Sequence, residues 1–154
     1  MTAILFVCLG NICRSPLAEG IFRHQAETMG VADQFEIDSA GCGGWHAGAA
    51  PDRRSIAVAA RHGVAIEDQQ ARKIDASDFN RFDLVLGLDR DNVAHLRQMR
   101  PHNSRAKIGL YLEEALGQSK SVPDPYYGGD ADFEAVFALC ERASQGLLKR
   151  LVKP

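Results

Sequence analysis

Short apolar runs alternate along the chain with longer stretches of helical spacing. Ala3-Ile4-Leu5-Phe6-Val7 is the first run, without a polar residue. Such a run suits a strand buried on both faces of a sheet. From Ser15 the period changes to that of a helix, with Leu17, Ile21 and Phe22 as its apolar stripe. Ser15 suits the cap and Pro16 the first helical position, so the helix is expected to run from about Ser15 to Met29 and stop near Gly30. Phe35 to Ser39 reads as a short second strand and Ser55 to His62 as a second helix, with Ile56, Ala59 and Ala60 inward and Gly63 as its stop. A helical turn around Asp75 to Phe79 leads into Leu84-Val85-Leu86-Gly87-Leu88, another continuous apolar run. A helix over roughly Asp91 to Met99 is stopped by Pro101, and Ala106 to Ile108 reads as a weak edge strand. Ala131 to Leu151 is strongly amphipathic, with Phe133, Val136, Phe137, Cys140 and Leu147 on its inner side.

Strands alternating with helices predict an α/β fold: a small doubly wound parallel sheet of about four strands with helices on both faces. In such sheets ligands bind beyond the carboxyl ends of the strands. Cys8, Ser39 and Asp89 all fall at such ends. The chain is expected to form one domain over residues 1–154, without linker, repeat or low-complexity segment.

Composition narrows the class. The chain is 45% hydrophobic and 25% charged, with a net charge of −2. These are ordinary values for a globular protein, and the basic residues are spread rather than massed, so no nucleic-acid partner is expected. No apolar run approaches the ~20 residues of a membrane helix, and no signal-like segment opens the chain. A cytoplasmic protein is the expectation, with thiols reduced at Cys8, Cys13, Cys42 and Cys140. No Cys or His spacing fits a metal site, so no metal or cofactor is expected.

The candidate chemistry lies where the first strand meets the first helix, in Val7-Cys8-Leu9-Gly10-Asn11-Ile12-Cys13-Arg14-Ser15-Pro16. Gly10 and Asn11 are the residue types that most easily take positive φ. A tight loop through Leu9, Gly10, Asn11, Ile12 and Cys13 turns successive N–H groups inward and forms an anion nest at the positive end of a helix. The same field activates a thiol at its centre. Cys8 thus reads as a nucleophile facing a phosphate-sized oxyanion, with Arg14 as a bidentate clamp. An inert buried cysteine would leave the coincidence of strand, Cys, Gly-Asn turn, Arg and capped helix unexplained. The loop lacks the Gly-Lys-Ser/Thr ending of a nucleotide-binding loop and the three glycines of a dinucleotide site. Because it must curl around one phosphate, Cys8 and Cys13 are expected within the ~7 Å between α-carbons that a disulfide tolerates, making Cys13 a redox partner.

Two further loops carry aromatic rings. Ala40 to Gly48 sets four glycines around Trp45, which is either a substrate wall or a ring folded back on the body. Pro123-Asp124-Pro125-Tyr126-Tyr127 offers a carboxylate on a proline-stiffened loop. Read alone, Asp124 opens a turn or supplies a proton. Tyr126 and Tyr127, opposite Trp45, would form an aromatic slot that admits a phenyl phosphate and keeps shorter phosphoserine from Cys8.

The stretch VCLGNICRSP fits the C-x5-R signature and resembles the low-molecular-weight protein tyrosine phosphatases, bacterial type. The resemblance runs over nearly the whole chain, through Asp38-Ser39-Ala40-Gly41, Trp45-His46, Ala71-Arg72, Asp89-Arg90-Asp91-Asn92 and Asp124-Pro125-Tyr126-Tyr127. It implies hydrolysis of protein phosphotyrosine through a phosphocysteine, with Asp124 as general acid and then base. It further implies that Asn11 holds the loop, that Ser15 donates to the Cys8 thiolate, and that Ser39 and His62 belong to the network behind it. Cys42 stands where many bacterial relatives have Thr, which puts a thiol near the mouth. Gly87 stands where Ala is usual, with no evident meaning.

The expected partners are phosphotyrosine proteins, and the chain is expected to be a monomer or to self-associate weakly. Three other readings fit less well. A thiol-dependent arsenate reductase wants a further cysteine pair on a mobile segment, whereas Cys140 lies on the inner face of a helix. A protein-arginine phosphatase is expected, by resemblance, to carry Thr where this chain has Ile12. A non-catalytic phosphate-binding module would lack Cys8, Arg14 or Asp124, and all three are present.

Overall fold

A computed structural model describes residues 1–154. The two apolar runs and the two weaker strand segments become four parallel strands: β1 (Thr2–Cys8), β2 (Phe35–Gly41), β3 (Leu84–Gly87) and β4 (Lys107–Leu110). Their order is β2-β1-β3-β4, so the chain starts in the centre and winds outward to both edges. Alternation along β1 divides the core. Ile4, Phe6 and Cys8 face the larger apolar cluster, and Ala3, Leu5 and Val7 face the smaller one.

The larger cluster is covered by α1 (Arg14–Thr28), α2 (Arg53–Arg61), α5 (Tyr111–Leu116) and α6 (Asp130–Leu151). The smaller is closed by α3 (Asp78–Arg81) and α4 (Arg90–Met99). The five residues expected on the inner side of α6 are all buried there. Phe6 stands edge-on to Tyr111 at 5.6 Å, and the Tyr111 hydroxyl donates to the Cys140 carbonyl, joining β1, α5 and α6. Each such fully buried side chain is worth ~1.5–3 kcal/mol relative to exposure.

The structure differs from expectation in local ways. The expected cap at Ser15 is not made: α1 already begins at Arg14, with Cys13 at its N-cap and no side-chain cap bond. The Ser15 hydroxyl is engaged with the Cys8 sulfur instead. On α2 the buried positions are Ser55, Val58 and Ala59, while Ala60 is exposed and Ile56 only half-buried. The helix starts two residues earlier than expected because Asp52 caps it by accepting from the Arg54 N–H. Helix α5 is an unexpected element, six residues long and following β4 without a break.

Candidate active site

Strand β1 delivers Cys8 to the rim, and α1 starts only six residues later. Between them, the Cys8, Leu9 and Ile12 carbonyls accept from the N–H groups of Cys42, Gly43 and Asp52 at 2.9, 3.0 and 2.8 Å. The Cys13 carbonyl accepts from the Ser55 hydroxyl. The backbone N–H groups of residues 9–13 meet no acceptor within the chain. With its carbonyls held from outside and its donors free, the loop is an anion nest at the uncapped start of a helix. Asn11 supports the curl with φ of 58°. Gly41 permits it from below, since a Cβ there would lie 3.0 Å from the Gly10 carbonyl carbon.

Asn11 also fixes the polarity of a buried hydrogen-bond chain. Its side-chain oxygen accepts from the Arg72 N–H at 3.0 Å, which orients the amide. Its nitrogen then donates to Ser15 Oγ at 2.8 Å and Ser39 Oγ at 3.0 Å. Ser15, already accepting, has its own hydrogen for Cys8 Sγ at 3.0 Å. Ser39 likewise donates to Glu19 Oε1 at 2.6 Å, and Arg23 pairs with Glu19 Oε2.

Arg14 is 3% exposed, so its charge must be answered by fixed partners. Nη1 donates to Asp89 Oδ2 at 2.7 Å and to the Val122 carbonyl at 3.0 Å. Nη2 lies 3.7 Å from Asp124 Oδ2. Burial opposes the guanidinium charge, but the charge at Cys8 and the bond to Asp89 outweigh it and hold its pKa above the ordinary value. Asp89 is itself held as the N-cap of α4, in a reciprocal capping box with Asn92.

Above the loop lies a cavity of about 240 Å³, lined at its base by Cys8, Ile12, Cys13 and Arg14 and at its mouth by Trp45, His46, Asp124, Tyr126 and Tyr127. Trp45 and Tyr127 are largely exposed, 72% and 96%, so neither ring is spent on the core. The two tyrosines meet edge to face at 4.9 Å. Asp124 accepts the Tyr126 N–H at 3.1 Å, which sets its carboxylate within the turn it opens. A thiol, a guanidinium, a carboxylate and a nest of donors thus share one aromatic-walled space.

The profile of the family described as low molecular weight phosphotyrosine protein phosphatase matches residues 3–154. The chain belongs to this family. It is 46% identical over 149 residues to a low-molecular-weight protein-tyrosine-phosphatase of Streptomyces coelicolor, covering 94% of this chain and 90% of that one. A solved protein tyrosine phosphatase from Entamoeba histolytica superposes with a TM-score of 0.92 at 34% identity, covering 98% and 97%. A solved structure described as a Drosophila arginine phosphatase superposes at 0.91 with 30% identity, covering 99% of each chain. The chain is accordingly a low-molecular-weight protein-tyrosine-phosphatase, an enzyme of the cysteine-based, metal-independent kind.

One expected member of this phosphatase's network is elsewhere. His62 follows α2, pairs with Glu134 at 2.9 Å and stacks on Phe137 at 4.3 Å, with no bond to Asn11, Ser15 or Ser39. It caps α2 and ties it to α6. Cys42, expected near the mouth, is 8% exposed beneath the loop, where burial, then the charge at Cys8, push its thiol up to about 11. Burial likewise pushes the Cys13 thiol up to about 12, helped by the charges at Asp52, Cys8 and Asp124.

Four supporting residues carried no assigned role in the sequence reading. Glu19 and Arg72 anchor the two ends of the Asn11 chain, Asp89 holds Arg14, and Arg54 reaches the Asp124 loop. Asp89 left a signal, as an acid at the carboxyl end of an apolar run, and Arg72 only as part of the Ala71-Arg72 pair in the family resemblance. The others act across 20 to 72 positions of sequence, beyond any local spacing.

Proposed function

We propose that the phosphatase cleaves protein phosphotyrosine in two displacements at Cys8. The Cys8 thiolate attacks phosphorus, the bond to the tyrosine oxygen breaks, and Asp124 gives that oxygen its proton. Water then attacks the phosphocysteine, Asp124 takes the water's proton, and the phosphorus–sulfur bond breaks to release phosphate. Equatorial charge in both steps falls to the free N–H groups of residues 9–13 and to Arg14, preorganised donors of the kind that usually dominate catalysis. The observation that carries this reading is the coincidence of that unpaired donor row with Cys8 at its base and Asp124 at its rim.

Phosphotyrosine is favoured over phosphoarginine by Ile12 in the cavity lining, where protein-arginine phosphatases, by resemblance, carry Thr. Four free thiols favour a reducing compartment, and we place the enzyme in the cytoplasm.

The deciding experiment is acid quenching during turnover of labelled phosphotyrosine peptide, with phosphoserine and phosphoarginine peptides beside it. Label is expected on Cys8 with phosphotyrosine, and Cys8→Ser is expected to carry none while still binding vanadate. Turnover by Cys8→Ser, or faster turnover of phosphoarginine, overturns the proposal.

A further inference from the structure

Besides the 3.7 Å ion pair of Arg14 with Asp124, the Asp124 loop is tethered to the rest of the molecule by one side chain. Its inner end is fixed, since Val122 donates to the Leu88 carbonyl and accepts from Arg14. Beyond it, the hydrogen bonds within the loop are local: Tyr126 N–H to Asp124, and Gly128 N–H to the Pro125 carbonyl. From elsewhere in the chain, the only hydrogen bonds that reach residues 123–128 come from Arg54, at 2.9 Å to the Tyr126 carbonyl and 3.2 Å to that of Gly128.

Arg54 is itself held in place. Its Nε and Nη2 fork onto the two oxygens of Asp52 at 3.0 and 3.1 Å. Its guanidinium lies 4.5 Å over the Phe133 ring and 5.6 Å from the centre of the Tyr126 ring. Asp52 in turn donates its N–H to the Ile12 carbonyl, within the phosphate loop. A continuous strap therefore runs from phosphate loop to Asp52, to Arg54, to the loop that carries Asp124 and Tyr126.

We propose that Arg54 is the positioning residue that keeps the proton donor Asp124 and the Tyr126 wall in register with the phosphate loop. Nothing in the cavity lining includes Arg54, so it acts through the loop and not on substrate. The planar fork is essential to this role: two donors meet a carboxylate while others meet two carbonyls, and a lysine ammonium cannot span that set. The proposal rests on Asp124 as general acid.

The test is kcat/KM for aryl phosphates of rising leaving-group pKa, measured for Arg54→Ala, Arg54→Lys, Asp124→Ala and the Arg54→Ala/Asp124→Ala pair. Inhibition by inorganic phosphate reports the nest separately. Arg54→Ala is expected to lose about tenfold with an ordinary phenol and about twofold with p-nitrophenolate, part of the roughly 10²–10⁴-fold that general acid catalysis supplies. Arg54→Lys should match Arg54→Ala, phosphate affinity should stay within about twofold, and the Arg54 effect should vanish once Asp124 is gone, as coupled sites require. An equal loss across leaving groups, an unchanged Arg54 effect in the Asp124→Ala background, a parallel fall in phosphate affinity, or full rescue by lysine overturns the strap. If Asp124→Ala itself shows no dependence on leaving group, the acid assignment fails and the strap's role fails with it.

Discussion

Asn11 Nδ2 donates to Ser15 Oγ at 2.8 Å while Asn11 itself stands at φ 58°, so one residue supplies both the curl of the phosphate loop and the polarity of its hydrogen bonds. The two contributions separate by mutation. Asn11→Gly keeps the positive φ at no steric cost but deletes the amide, whereas Asn11→Ala deletes the amide and adds strain of roughly 1–2 kcal/mol in the left-handed region. Both variants should turn over at least tenfold more slowly, because a Ser15 hydroxyl without its donor is no longer directed at Cys8, an estimate of about 1.4 kcal/mol for one oriented bond to a charged group. Both should lose thermal stability, because the Arg72 N–H loses its acceptor in each, and Asn11→Ala should lose more by the added strain. Equal melting temperatures for the two would remove the conformational role, and wild-type turnover in Asn11→Gly would remove the network's.

Gly87 has a steric role that its sequence context hides. A Cβ there would lie 2.9 Å from the Val93 N and 2.8 Å from Val93 Cγ2, so the first turn of α4 packs directly on the β3 backbone. That close approach sets Asp89, the N-cap of α4, against Arg14. Gly87→Ala should cost about 1–3 kcal/mol by overpacking and, by pushing α4 away, weaken the Arg14–Asp89 pair. Urea unfolding together with phosphate inhibition checks this. A stable variant with weakened phosphate binding would mean α4 moves without strain, and a variant unchanged in both would mean the helix yields freely.

β1 and β3 were legible as continuous apolar runs, and β2 and β4 as shorter segments with apolar and polar residues mixed, their ends shifted by a few residues. The loop between β1 and α1 was legible because its thiol, turn residues and arginine are contiguous. What the sequence concealed depends on contacts between distant segments. His62 was assigned to the network by resemblance alone, and its actual partners, Glu134 and Phe137, lie 72 and 75 positions away. Helix α5 concealed itself because six residues span under two turns, too few for a 3.6-residue period to declare itself. The Ser15 cap failed because local preference yielded to a stronger tertiary demand, the thiol at Cys8.

Peroxide should inactivate the enzyme reversibly, and recovery should depend on Cys13 and rise with pH. Oxidation of Cys8 by peroxide gives a sulfenic acid, whose sulfur the Cys13 thiolate can attack to form the Cys8–Cys13 disulfide, the S–O bond breaking to expel hydroxide, which takes a proton from solvent. Both sulfurs belong to residues lining the base of one cavity. The attacking species is the thiolate, and burial, with the charges at Asp52 and Cys8, pushes Cys13 up to about 12. Below that value the thiolate fraction grows about tenfold per pH unit, so capture competes better with over-oxidation as pH rises. The measurement is the activity regained with dithiothreitol after a peroxide pulse, between about pH 6.5 and about pH 8.5, a window below the raised value throughout. Wild type should regain more at the alkaline end, and Cys13→Ser should regain little at either. Full recovery of Cys13→Ser would leave Cys13 as loop support and turn attention to Cys42, whose N–H donates to the Cys8 carbonyl.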